Sequence, residues 1–195
     1  AEAILELYNA GQRVFGENKV QELCEKYEVL PKDIEWHQIG HLQTNKVKYM
    51  ASFVSLIHSV DSLKLLKEIN KQALKAGRVI DVLLQLHVAA EETKFGLTQH
   101  EVVEMLESDD FIALKNVRVV GLMAMATNTE DEEQVAMEFE SVRQFYHVLK
   151  DGYFSGKPEF KEISMGMSGD YLIAQKYEST LVRVGSSIFG ERIYE

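Results

Sequence analysis

Cysteine, proline and clustered basic residues are scarce in this chain, and each shortage excludes something. Cys24 is the single cysteine of the 195 residues. No disulfide can form within the chain, and a reducing, cytoplasmic setting is expected. Cys24 shares a helical pattern with Val20, Leu23 and Tyr27, so a small buried apolar role is expected for it. The two prolines, Pro31 and Pro158, fall between periodic segments and interrupt none of them. No run approaches the ~20 apolar residues of a membrane span, and Ala1-Glu2-Ala3-Ile4 is not the start of a signal peptide. Lys and Arg number 21 against 31 Asp and Glu, a net charge of -10, and no dense basic face emerges. Neither nucleic acid nor a membrane is therefore an expected partner. The histidines and carboxylates match no metal-ligand spacing, so no metal is expected. A nucleophile elbow and a Walker-type loop are also missing.

What is present is a regular alternation. Apolar residues at helical spacing occupy residues 1–9 and end at Gly11. Strand-like and helical segments then take turns. The strands are expected at residues 13–16, 35–39, 53–60, 79–88, 117–123, 162–165 and 180–184. The helices between them are expected at residues 19–27, 42–50, 62–76, 99–106, 132–149 and 170–177, with a short turn at 187–189. Alternation of this kind implies parallel strands joined by right-handed crossovers. The length suits one domain, with no repeat and no internal linker. The pattern predicts an α/β fold, a single-domain (β/α)8 TIM barrel over residues 1–195 with its first strand expected before Ala1. An open doubly wound sheet is the alternative.

Two C-terminal segments favour the barrel. Met165-Gly166-Met167-Ser168-Gly169-Asp170 follows one strand, and Arg183-Val184-Gly185-Ser186-Ser187-Ile188-Phe189-Gly190 continues the next. Small residues there let backbone N–H groups and hydroxyls point at one spot, which suits an anion. Paired turns after the last two strands are where a barrel of this class holds phosphate.

Other strand ends offer further candidates. Asn18 can donate to a ligand oxygen or cap the following helix. His37 and His41 can carry a proton or be structural, and Asp61 or Ser62 can cap a helix. Lys94 can reach a ligand anion or stand as a solvated loop lysine. The small, apolar residues 121–126 can line a pocket or fill the core. Arg183 alternates with Val182 and Val184 on its strand. A guanidinium inside a barrel needs an acceptor, and Glu17 or a ligand lone pair can supply one.

Taken together the segments resemble the pyridoxal phosphate homeostasis protein family, whose members bind pyridoxal 5'-phosphate (PLP). The likeness is carried by Gly11-Gln12-Arg13-Val14-Phe15-Gly16-Glu17-Asn18, by residues 36–46, by Lys94-Phe95-Gly96-Leu97, by Gly121-Leu122-Met123, by residues 164–168 and by residues 182–192. The resemblance implies an alanine racemase N-terminal-domain-like barrel. It implies PLP as cofactor, with Ser168, Gly185 and Ser186 at its phosphate, Arg183 at its pyridine nitrogen and Asn18 beside its ring. The family's Schiff-base lysine is expected just before Ala1, so no catalytic residue is assigned within the chain. A cofactor-buffering or delivering protein without strong catalysis is implied, a monomer or weak dimer that serves PLP-dependent apo-enzymes and influences amino- and keto-acid balance. The alternatives are a PLP-dependent amino-acid racemase and a sugar-phosphate or nucleotide-phosphate barrel enzyme.

Overall fold

The computed structural model describes residues 1–92 and 95–191. Helix α1 (Glu2–Asn9) leads into strand β1 (Val14–Glu17), and helix α2 (Val20–Val29) precedes β2 (Glu35–Gln38). A 3-10 turn and the short α3 (Val47–Met50) connect to β3 (Leu56–Val60), and α4 (Leu63–Lys75) connects to β4 (Ile80–Leu86). Helices α5 (Gln99–Glu107) and α6 (Asp109–Ile112) precede β5 (Val117–Ala124). The long α7 (Glu132–Asp151) leads to β6 (Glu162–Met167), α8 (Tyr171–Gln175) to β7 (Leu181–Arg183), and α9 (Ser186–Phe189) follows.

The strands form one parallel sheet in chain order, β1 to β7, with no reversal. A doubly wound sheet reverses its order at a switch point, so that alternative is excluded. Curvature is shown by a contact across the interior. His58 on β3 and Ser164 on β6 lie three strands apart along the sheet, about 14 Å if the sheet were flat. Their side chains meet at 2.8 Å. The sheet is therefore rolled into a nearly closed α/β barrel.

Bulges produce much of that roll, since an extra residue on one strand bends it and increases its twist. Between Ile57 and Val60, β3 carries one residue more than β4. Between Ser164 and Met167, β6 carries one more than β7. On β5, Val120 is the extra residue opposite β4, and Gly121 follows it at φ +158. A Cβ at Gly121 would lie 1.8 Å from the Glu162 carbonyl oxygen.

The main core lies outside the sheet, beneath the helices, and includes Leu23, Ile57, Leu66, Ile69, Phe139 and Phe160. A smaller cluster of Leu56, Leu83, Val120 and Met123 packs with Met125 and Leu181. Local chemistry sets the helix starts. Ser62 accepts from Leu65 N–H, Thr98 and Glu101 form a reciprocal capping box, and Asp131 accepts from Glu133 and Gln134 N–H.

Two expectations need correction. The helix expected over residues 42–50 is reduced to a 3-10 turn and one α-turn. Cys24 is half-buried rather than enclosed, and its thiol, raised by burial and by Glu28 and Glu25, donates to the Tyr49 carbonyl. Among the described residues no helix is long and apolar enough to cross a membrane. No group of His, Cys, Asp and Glu side chains there could hold a metal ion.

Candidate functional site

The two C-terminal turns are brought together. Because β6 is bulged, Met167 rather than Gly166 pairs with Arg183, and the next residues run side by side. Gly185 N–H donates to the Ser168 hydroxyl at 3.3 Å. Ser186 opens α9 immediately after, and the first-turn N–H groups of a helix have no intrahelical acceptor. A Cβ at Gly185 or Gly169 would meet nothing within 4 Å, so there is room beside these amides. The turn after β6 is held from within: Asp170 accepts from Met167 N–H at 2.7 Å. Gly166, at φ +101, lets α8 pack directly on the strand end.

Arg183 points inward, as alternation on the strand requires, but Glu17 is not its partner. Phe15 and Glu17 share the outward face of β1, where Glu17 forms an ion pair with Lys26 of α2. The acceptors of Arg183 are the Ser164 hydroxyl at 2.5 Å and the Ala124 carbonyl at 2.9 Å. Burial pushes the guanidinium down to about 10, against a smaller upward pull from Asp170. It remains a cation at neutral pH, with further N–H donors available to a ligand.

The Ser164 hydroxyl also meets His58 Nδ1 at 2.8 Å, and His58 Nε2 meets His37 Nδ1 at 2.9 Å. Both rings are buried, His37 at 8% and His58 at 2% exposure. Burial lowers His37 to about 4. His58 is held well below its ordinary value by burial, by His37 and by Arg183. Both are neutral imidazoles at pH 7. His37 is among the sequence candidates; His58 and Ser164 are not. A signal existed, since His58 and Ser164 each stand directly between an isoleucine and the rest of a strand that is buried along most of its length.

Asn18 is not the cap of α2. Lys19 occupies that position, without a side-chain cap bond. The Asn18 carbonyl accepts from Gln38 Nε2 at 2.8 Å, and Gly40 packs so closely that a Cβ there would meet that oxygen at 2.3 Å. Asn18 is thus brought together with the loop after β2. His41 stacks on Phe95 with ring centroids 3.7 Å apart and faces Asp61 at 3.4 Å. Burial raises the Asp61 carboxyl, and His41 opposes the shift. Ser62, not Asp61, caps α4. Lys94 and Arg192 lie outside the described residues. Of residues 121–126, Met123 fills the interior and Ala124 supplies a carbonyl to Arg183. A cleft of about 450 Å³ lies elsewhere, lined by residues that include His87, Gln99, Met137 and Glu138, and takes in neither C-terminal turn.

Comparison with known proteins supplies the remaining observations. The family model for the N-terminal domain of alanine racemase matches residues 1–193. A pyridoxal phosphate homeostasis protein of Aquifex aeolicus is 44% identical over 194 residues, 99% of this chain and 83% of its own length. One of Schizosaccharomyces pombe is 38% identical over 196 residues, 98% and 79% of the two chains. PipY of Synechococcus elongatus, solved with PLP bound, is 33% identical at a TM-score of 0.85, covering 97% of this chain and 87% of that one. Alanine racemase of Bartonella henselae, solved with covalently bound PLP, shares the fold alone. It is 15% identical at a TM-score of 0.65, over 95% of this chain and 48% of that one.

Proposed function

Given that the chain belongs to the pyridoxal phosphate homeostasis proteins, within the alanine racemase N-terminal-domain family, we propose that it binds PLP and serves in PLP homeostasis, holding and handing on the cofactor. The observation that carries this reading is the 3.3 Å contact between Gly185 N–H and the Ser168 hydroxyl. It joins two strand-end turns into one set of donors, a few residues from the half-buried Arg183 cation.

The donor set fits the group. Ser168, Gly185 and Ser186 take the phosphate, whose charge is favoured by the hydroxyls and by the first-turn amides of α9, while Gly185 N–H is held by the Ser168 hydroxyl. Arg183 takes the pyridine nitrogen, donating to its lone pair from the N–H groups that Ser164 and Ala124 leave over. Asn18 stands beside the ring. When bound, PLP supplies an electron-accepting ring. A permanent cation at the ring nitrogen disfavours its protonation and so weakens that sink. Arg183, still charged at neutral pH, therefore suits retention of the cofactor better than broad amino-acid chemistry. In this reading residues 1–195 act as one cytoplasmic barrel, a monomer or weak dimer that passes PLP to apo-enzymes.

The test is PLP affinity, read by fluorescence titration of the purified chain. Ser168→Ala and Arg183→Ala are each expected to weaken binding about ten-fold, the worth of one charge-assisted hydrogen bond, with the circular dichroism spectrum unchanged. Unaltered affinity in both variants would refute the assignment. Loss of optical rotation from an L-amino acid in the presence of PLP would favour a racemase instead.

A further inference from the structure

Inside the barrel, side chains from β2, β3, β6 and β7 form one unbroken line: His37, His58, Ser164, Arg183. Its direction follows from elementary hydrogen-bond chemistry. A guanidinium only donates, so the Ser164 oxygen accepts from Arg183 Nη1. The Ser164 hydrogen then goes to His58 Nδ1, which must be bare. The His58 hydrogen sits on Nε2 and goes to His37 Nδ1, and His37 carries its own hydrogen on Nε2. In this arrangement every hydrogen between Arg183 and His37 has a single place. The reverse arrangement leaves the Ser164 hydrogen with no acceptor along the line. A proton added to His37 sets two hydrogens against each other between His37 and His58, and one added to His58 does so between His58 and Ser164.

The line matters because of what it does to Arg183. An arginine side chain has many rotamers to lose, and its planar fork makes directional hydrogen bonds, so holding the fork in place favours recognition of a partner. Here the fork has two anchors, the Ser164 hydroxyl and the Ala124 carbonyl. The carbonyl is fixed by β5. A serine hydroxyl alone would rotate, but His58 takes its hydrogen and His37 in turn fixes the His58 ring. Asp170, the acidic group felt by Arg183, is committed to Met167 N–H at 2.7 Å and leaves the anchoring to Ser164.

We propose that Ser164, His58 and His37 are positioning residues that hold the Arg183 guanidinium toward the pyridine nitrogen of bound PLP, independently of the phosphate turns. This rests on the PLP-binding reading above.

The direction of the line is testable without ligand. Nitrogen-15 histidine NMR of the unliganded protein at pH 7 should show His37 and His58 as neutral Nε2–H tautomers. An Nδ1–H tautomer at His58, or titration of either ring near 6.5, would overturn the proposal. Its consequence is tested by titrating PLP and phenyl phosphate, an ester without a ring nitrogen. Ser164→Ala should weaken PLP about ten-fold and leave phenyl phosphate unchanged. It should add nothing in the Arg183→Ala background, because the two act as one unit. Ser164→Thr, which keeps the hydroxyl, should restore affinity. Additive losses, or equal losses for both ligands, would overturn the relay while leaving PLP binding intact. Failure of the unaltered protein to bind PLP would instead overturn the functional reading, whatever the tautomers.

Discussion

Gly166 shows how much of the site hangs on single atoms. It sits at φ +101, in the left-handed range that costs a side-chain-bearing residue about 1–3 kcal/mol. An added Cβ would also lie 2.7 Å from Ala174 Cβ and 3.0 Å from Tyr171 Cα. Gly166→Ala must therefore push α8 away from β6, and the Ser168 turn moves with it. The expected outcome is a loss of roughly 2–4 kcal/mol, seen as a lower urea midpoint with unchanged slope, together with weaker PLP binding. A midpoint equal to that of the unaltered protein would disprove it. Arg183 is legible in the sequence because a charge within a strand pattern demands a partner. Which partner is not legible, because that depends on strands that meet only after the sheet rolls up. Glu17 illustrates the limit. Alternation put it on the same face as Phe15, and Lys26, one helix later, was the nearer cation. Asn18 failed as a cap for a local reason, since the chain is still extended at Lys19 (φ -105, ψ 130) and the helix starts one residue later.

At the level of elements, parallel strands buried on both faces read as apolar runs, and the helices between them as amphipathic stretches. That is why the alternation was visible, and why the structure departs from it mainly at element ends. Helix α6 was not seen, because four residues are too few to display a period. It exists through Ser108, whose hydroxyl accepts from Phe111 N–H at 3.2 Å and donates to the Met105 carbonyl at 2.6 Å. One hydroxyl thus closes α5 and opens α6. Ser108→Ala is expected to cost about 1–2 kcal/mol in urea unfolding and to speed amide exchange in residues 109–113. Ser108→Asp keeps the acceptor for α6 but cannot donate to Met105, so it should recover part of the loss. Equal stability of the alanine variant and the unaltered protein would show that the two helices do not depend on this bond.

For the whole molecule, the buried histidines tie stability to pH. An unfolded histidine takes up its proton near 6.5, whereas folded His37 does not until about pH 4. Between those values the unfolded chain binds more protons, so folding weakens as pH falls. The contribution of His37 is fully present above about pH 6.5 and is lost progressively toward pH 4, on the order of 3 kcal/mol in all. His58 is lowered further and acts in the same direction. Asp61, raised by burial, works the opposite way across the carboxylate range. Glu140, held at about 2 by Arg143 and then Gln144, favours the fold above its unfolded value and loses that contribution only at more acid pH. The window between pH 7 and pH 5 therefore belongs mainly to the histidines. Urea midpoints should fall by an amount equivalent to about 2 kcal/mol or more across that window. A His37→Asn variant, less stable at pH 7 because a buried hydrogen bond is altered, should show a shallower decline. Superimposable unfolding curves for the unaltered protein at pH 7 and pH 5 would mean that the rings are not neutral and buried in the fold. The line from Arg183 to His37 would then lose its direction, because an imidazolium within it would place two hydrogens in one contact.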